Sequence, residues 1–175
     1  MNKKKYLYWI GTTNEEKETV WREMYSRIGV IVHLSQMIEY NLANIIAIAK
    51  MKKEVIEKEP ISVDEFKELR KKCDKEYERI NGLSLGKIKK EMENTKLFPV
   101  DMVERTAEVL SIRNHVIHHI FKDDLFTKEF AELENVDQYI DKLNETESKM
   151  VLLNEEILEV FRKNKIQTVL FRLDN

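Results

Sequence analysis

The strongest structural constraint in this chain is an apolar repeat between Val20 and Ala49. Apolar residues recur there over eight intervals of three or four, the spacing that aligns side chains on one face of an α-helix. The repeat consists of Val20, Met24, Ile28, Ile31, Leu34, Ile38, Leu42, Ile45 and Ala49. Thr13, followed three residues later by Glu16, is typical of a capping box at a helix start. We therefore expect a long helix that begins near Thr13 and cannot continue through Pro60.

Two shorter segments follow with their own boundary signals. Ser62 with Glu65 is a second capping box, and the Asn81-Gly82 pair is a typical helix end. The apolar stripe between them is Phe66, Leu69, Cys73, Tyr77 and Ile80. A short helix is then predicted from Ser84 to about Asn94.

The second half of the chain carries two more helical patterns. Pro99 suits a first helical turn, so a helix is predicted from Val100 to near Phe121. The last long helix is predicted from about 136 to 161. Its stripe is Tyr139, Leu143, Thr146, Met150, Leu153, Ile157 and Val160. The tail from Ile166 to Leu173 is compatible with a strand or with more helix.

The composition agrees with long helices joined by few loops. The 175 residues include only four Gly and two Pro, while 42% are apolar and 35% charged. These features predict an all-α fold, an antiparallel bundle of four long helices plus a short one. We expect residues 1–175 to form a single domain, with a core at about 14–162 between a basic, aromatic leader (1–12) and the tail. A net charge of −2 argues against coating nucleic acid through bulk charge.

The sequence also bounds the cellular setting. Its one cysteine, Cys73, cannot form an internal disulfide, and no Cys-rich metal pattern is present. The apolar run from Tyr6 to Ile10 is too short for a secretory signal, and no apolar run approaches the roughly 20 residues of a membrane span. We expect a cytoplasmic protein without a membrane partner.

The candidate site lies in the predicted fourth helix. Arg113 falls between Val109, Leu110, Val116 and Ile117 on a face that should be apolar. A cation there is costly to desolvate unless an anion or a hydrogen-bonding network meets it, and a sequence that breaks its own pattern often does so at a functional site.

Two polar residues accompany this arginine, namely Asn114 and His118. A guanidinium matches phosphate in shape and charge, a histidine exchanges protons near neutral pH, and an amide fixes orientation without titrating. Such a set fits cleavage of a phosphodiester by an internal hydroxyl. A structural alternative remains open, in which each residue is a solvated or capping residue near a helix end.

Other residues are weaker candidates. His115 and His119 are spaced four apart, which suits zinc, but no third ligand is evident. We treat them as auxiliary candidates and expect neither a metal nor another cofactor. Glu39, Asn41 and Asn44 on the first helix could reach a cleft, although a solvated face is the simpler interpretation.

Arg113-Asn114, three residues and then His118 resembles the Arg-Asn-x-x-x-His motif of the HEPN superfamily (higher eukaryotes and prokaryotes nucleotide-binding domains). The segment Leu85-Gly86-Lys87 ahead of the motif helix is similar to several bacterial HEPN families. The resemblance covers about residues 14–162, and only the motif within it is specific. It implies a helical bundle that dimerises so that two motifs face one cleft.

The same resemblance implies a metal-independent endoribonuclease, in which Arg113 and His118 are catalytic and Asn114 orients them. It further implies a role as a toxin or defence component, with an RNA substrate, a homodimeric state and a separate antitoxin or regulatory protein. The alternative is a non-catalytic module of the same fold that dimerises or binds nucleotides.

Overall fold

The computed structural model describes residues 15–56, 62–119 and 133–163 of the chain. These residues form helices without a strand, which confirms the predicted all-α bundle. The helices are α1 (Glu15–Ile56), α2 (Val63–Asn81), α3 (Leu85–Thr95), α4 (Val100–His118) and α5 (Leu133–Lys163). The predicted capping box at Thr13 and the tail from Ile166 lie outside the described residues.

The helix boundaries follow local chemistry. At the start of α2 the Ser62 hydroxyl accepts a hydrogen bond from the Glu65 backbone at 3.3 Å, and the Glu65 carboxylate accepts one from the Ser62 backbone at 2.9 Å. This reciprocal pair confirms the predicted capping box. Helix α3 ends where Lys96 adopts a left-handed φ of 54°. Helix α4 ends at His118, three residues before the predicted Phe121.

Helix α1 is the centre of the bundle. It packs against each of the other helices, most extensively against α5. Its buried side chains are Met24, Ile31, Ser35, Ile38, Leu42, Ala43, Ile45, Ile46, Ala47 and Ile48, and those of α5 are Ile140, Leu143, Met150, Leu153, Asn154, Ile157 and Val160. These residues include most of the two predicted stripes, so the 3.6-residue periodicity located the main interface correctly.

Polar contacts set how α1 and α5 are aligned. Arg27 of α1 pairs with Glu147 at 3.1 Å, and the Asn41 amide donates to the Asn154 side-chain oxygen at 2.8 Å. From the first pair to the second, the residue numbers increase on both helices. Helices α1 and α5 therefore run in the same direction, as the first and fifth helices of an alternating bundle do. The amide pair satisfies the buried Asn154.

A cluster of four charged side chains joins α1, α2 and α3. Lys50 lies 2.8 Å from Glu76 and 2.6 Å from Glu91, and Arg79 donates to both carboxylates. We call Lys50, Glu76, Arg79 and Glu91 the charged cluster. The hydrogen bond from Arg79 outweighs burial and, together with Lys50, lowers the pKa of Glu76 from 4.5 to about 2. Burial opposes a similar shift at Glu91, but hydrogen bonds from Lys50 and Arg79 still lower its pKa.

Helix α4 is fixed in the bundle by a salt bridge to α5 and by buried apolar side chains. Near its start, Arg105 binds Glu156 of α5 through both terminal nitrogens and also contacts Asp101 at 3.0 Å. Further along, Val109 and Leu110 are buried against the bundle. Arg113, one turn later, therefore lies against Glu39 of α1, with 25% of its side chain exposed.

Candidate functional site

Arg113 lies on the buried face of α4, as its position in the helix predicts. Three of its four neighbours three and four residues away, Val109, Leu110 and Val116, are each less than 5% exposed, whereas the fourth, Ile117, is 37% exposed. The Arg113 side chain itself is only 25% exposed. A permanent charge is therefore largely removed from water within an apolar surface. Its desolvation lowers the stability of the fold unless the charge gains interactions of comparable strength in the protein.

The guanidinium of Arg113 receives few such interactions. Its Nη1 donates to the Asn114 side-chain oxygen at 2.8 Å. Its Nη2 lies 3.7 Å from the Glu39 carboxylate, which is close enough for charge attraction but too long for a hydrogen bond. Its buried Nε has no hydrogen-bond partner among the described residues. Of the contacts above, only the one to Asn114 is a hydrogen bond, and this Nε is shielded from solvent.

Glu39 was a weak candidate in the sequence, which placed it where it could reach a cleft but favoured a solvated face. A solvated position was the simpler expectation, but the side chain is only 26% exposed and pairs across the helix interface with Arg113. Its neighbours three and four residues away on the buried side are Ser35, Leu42 and Ala43, each at most 1% exposed. That local burial was a readable signal, because a glutamate among buried neighbours needs a partner. Asn41 likewise bonds Asn154 rather than facing solvent.

Asn114 holds the arginine from its own helix. The amide oxygen accepts the Nη1 proton of Arg113, and the side chain is partly buried at the edge of the apolar face. An adjacent residue that satisfies one terminal nitrogen restricts the rotation of the guanidinium. This contact fits the predicted orienting role toward Arg113; no bond from Asn114 to His118 is present among the described side chains.

The three histidines near the end of α4 are all exposed. His118 is the last helical residue. His115 and His119 stack on each other, with ring centroids 5.8 Å apart and ring planes inclined by 11°. Across residues 15–56, 62–119 and 133–163, no group of three or more His, Cys, Asp or Glu side chains is arranged to hold a metal ion.

Arg113 and His118 do not contact each other within one chain. No hydrogen bond or ion pair joins them in the described part of the protein, and α4 remains a regular helix between them. Five residues of an ideal helix correspond to a rotation of about 140°, so the buried guanidinium and the exposed imidazole lie on different sides of α4. Their joint action on one phosphate would need a substrate that spans the helix end, or a second copy of the chain.

No protein-family model, curated protein or solved structure matches the chain. Among the described helices, none contains a stretch long and apolar enough to cross a membrane.

Proposed function

We propose that the protein is a metal-independent endoribonuclease of the HEPN type, with Arg113, Asn114 and His118 as its working residues. The observation that carries the proposal is the state of Arg113. Its guanidinium is about three-quarters buried, makes one hydrogen bond and leaves its Nε without a partner among the described residues. Donors held in place before a substrate arrives are suited to the charge that develops on a phosphate during cleavage.

The proposed chemistry uses the ribose itself as the nucleophile. The 2′-oxygen attacks the adjacent phosphorus, the bond from phosphorus to the 5′-oxygen breaks, and the products are a 2′,3′-cyclic phosphate and a 5′-hydroxyl. His118 accepts the proton of the 2′-hydroxyl and water donates one to the departing 5′-oxygen, or the two roles are exchanged. Arg113 stabilises the pentavalent phosphorane. Asn114 keeps the guanidinium oriented through its bond to Nη1.

We also propose that the active form is a homodimer. A single chain places Arg113 and His118 on different sides of α4, and a two-fold interface at the end of this helix would bring two motifs to one cleft. Ile117, an exposed apolar residue beside His118, suits such an interface. Sedimentation should show a dimer at micromolar concentration, and a monomer there would contradict this part of the proposal. A separate antitoxin or regulatory protein would then bind the dimer.

The decisive experiment is RNA cleavage in the presence of EDTA. Wild-type protein should release 2′,3′-cyclic phosphate ends from single-stranded RNA and leave DNA intact, because DNA lacks the nucleophile. His118→Ala should remove this activity while the helical circular dichroism is retained. His33→Ala is the matched control, since His33 is an exposed histidine on α1, outside the motif. Equal cleavage by wild type and His118→Ala would refute the mechanism.

One observation favours a second candidate, a non-catalytic helical module that dimerises or binds nucleotides. Arg113 is attracted to Glu39 across the α1–α4 interface, and such a pair would give the arginine a purely structural purpose. Under this alternative the wild type cleaves no RNA, and Arg113→Ala lowers the free energy of unfolding.

A further inference from the structure

A negative charge stands beside the candidate phosphate-binding arginine. The Glu39 carboxylate lies 3.7 Å from Nη2 of Arg113, and both side chains are about a quarter exposed, at 26% and 25%. Another pair between helices, Arg27 with Glu147, closes to 3.1 Å, a hydrogen-bond distance. Glu39 is therefore near enough to act on Arg113 by charge, yet at 3.7 Å it accepts no hydrogen bond from Nη2.

This geometry has an electrostatic consequence for any anion that docks on Arg113. The anion would lie within a few ångströms of the Glu39 carboxylate and would be repelled by it. Coulomb repulsion is proportional to charge, so the penalty for a doubly charged phosphate is twice that for a singly charged one. The phosphodiester of an internal RNA linkage carries one negative charge, whereas inorganic phosphate and terminal phosphomonoesters carry nearly two at about pH 8.

We propose that Glu39 is a specificity-determining residue, which biases the Arg113 site against doubly charged phosphates and so towards internal phosphodiesters. The inference rests on the proposed function, because it requires Arg113 to receive a phosphate. The contact of Glu39 with Arg113 differs from that of Glu156, which accepts hydrogen bonds from Arg105 directly.

Binding measured at Arg113 itself tests the inference without relying on cleavage. The probes are inorganic phosphate and a 2′-O-methyl dinucleoside monophosphate with hydroxyls at both ends, which contains one internal diester, carries one negative charge and cannot be cleaved. Each is titrated at about pH 8 while the nitrogen-15 NMR signal of the Arg113 Nε–H is followed. Because Nε is buried and the side chain as a whole is 25% exposed, the signal reports a phosphate at the exposed part of the same guanidinium through a change in chemical shift.

Glu39→Gln removes the charge and nearly preserves the shape of the side chain. A unit charge at about 4 Å in water changes affinity roughly fivefold, and salt reduces this to about threefold. Glu39→Gln should therefore tighten the dinucleoside monophosphate about threefold and inorganic phosphate about ninefold. Glu147→Gln is the matched control, because Glu147 is equally exposed, at 26%, and also pairs with an arginine of another helix. It should change neither affinity.

Glu39→Asp separates charge from shape and remains informative if Glu39→Gln does not fold. It should keep the wild-type ratio of the two affinities. Equal tightening of both probes by Glu39→Gln, a ratio in Glu39→Asp that differs from wild type, or absence of binding at Arg113 would each overturn the inference. RNA cleavage in EDTA is measured in parallel. Selectivity without cleavage would contradict only the proposed function, and cleavage without the change in selectivity would contradict only the role of Glu39.

Discussion

The charged cluster and the motif site each place an arginine and a glutamate at a helix interface, but they use the arginine differently. In the charged cluster, Arg79 is 43% exposed and still bonds two carboxylates, Glu76 through both Nε and Nη2. At the motif site, Arg113 is only 25% exposed and makes a single hydrogen bond, to its neighbour Asn114. The more buried arginine therefore has the fewer partners.

Stability alone does not account for this difference. Charges withdrawn from water need compensation within the protein, and the charged cluster provides it through short bonds that also lower the pKa of Glu76. Arg113 has the larger desolvation cost and the smaller compensation. A buried charge that lacks compensating contacts in the protein is expected where a bound ligand supplies the missing interactions.

The largest predicted effect is a separation of activity from stability between these two arginines. Arg113→Ala should reduce RNA cleavage more than about 100-fold and leave the free energy of unfolding nearly unchanged or higher, because it deletes a poorly compensated charge. Arg79→Ala should lower the free energy of unfolding by about 1 kcal/mol, a value limited by solvent exposure, and leave cleavage per folded molecule unchanged. Cleavage assays and urea unfolding of both variants measure this. A large loss of stability in Arg113→Ala would break the comparison.

The second prediction uses acid to weaken the charged cluster. Folding lowers the pKa of Glu76 to about 2 from 4.5, so the ionised carboxylate stabilises the fold above about pH 4.5. That stabilisation is lost as the pH falls from 4.5 towards 2, because the unfolded chain takes up the proton first. Between pH 6 and pH 3 we expect Glu76 to account for about 1–2 kcal/mol of the loss. Urea unfolding of Glu76→Gln should show a correspondingly smaller loss; a loss as large as that of wild type would contradict this assignment.

The fold was predictable where one helix face decides burial. Met24, Ile31, Ile38 and Leu42 follow the helical repeat, and all are fully buried in α1. The stripe of α2 has the same spacing, yet only Ile80 is buried. Burial there depends on how many helices surround α2, which packs mainly against α1, and periodicity within one segment carries no information about its neighbours.

Residues of the candidate site were predictable where the evidence for them lay in neighbouring positions of the sequence. Arg113 conflicts with residues three and four positions away, so the sequence alone marked it. Glu39 pairs with a residue on a different helix, and this pairing depends on how α1 and α4 pack. Asn114 was expected to orient both Arg113 and His118. Its side-chain oxygen accepts a hydrogen bond from Arg113, which is a physical means of orienting the arginine. Whether it also orients His118 stays a prediction.

The third prediction concerns the only hydrogen bond that Arg113 makes among the described residues. Asn114→Ala frees Nη1 and allows the guanidinium to rotate, so cleavage should fall about tenfold, less than in Arg113→Ala. Asn94→Ala on α3 is a suitable control, because Asn94 is an exposed asparagine outside the motif. Single-turnover cleavage rates would measure the effect. A loss as large as that of Arg113→Ala would mean that Asn114 acts on the substrate directly.

The smallest predicted effect compares the carboxylates of the two regions. Glu91 accepts bonds from both Lys50 and Arg79, so Glu91→Gln should lower the free energy of unfolding by about 1 kcal/mol. Glu39 makes only a long ion pair, at 3.7 Å, so Glu39→Gln should change the free energy of unfolding by less than about 0.5 kcal/mol. Urea unfolding at neutral pH and at low and high salt distinguishes the two, because only the Glu91 effect is large enough to shrink measurably on screening. If Glu39→Gln proved as destabilising as Glu91→Gln, the Arg113–Glu39 pair would be an anchor of α4, and the contrast between the two arginines would lose its functional meaning.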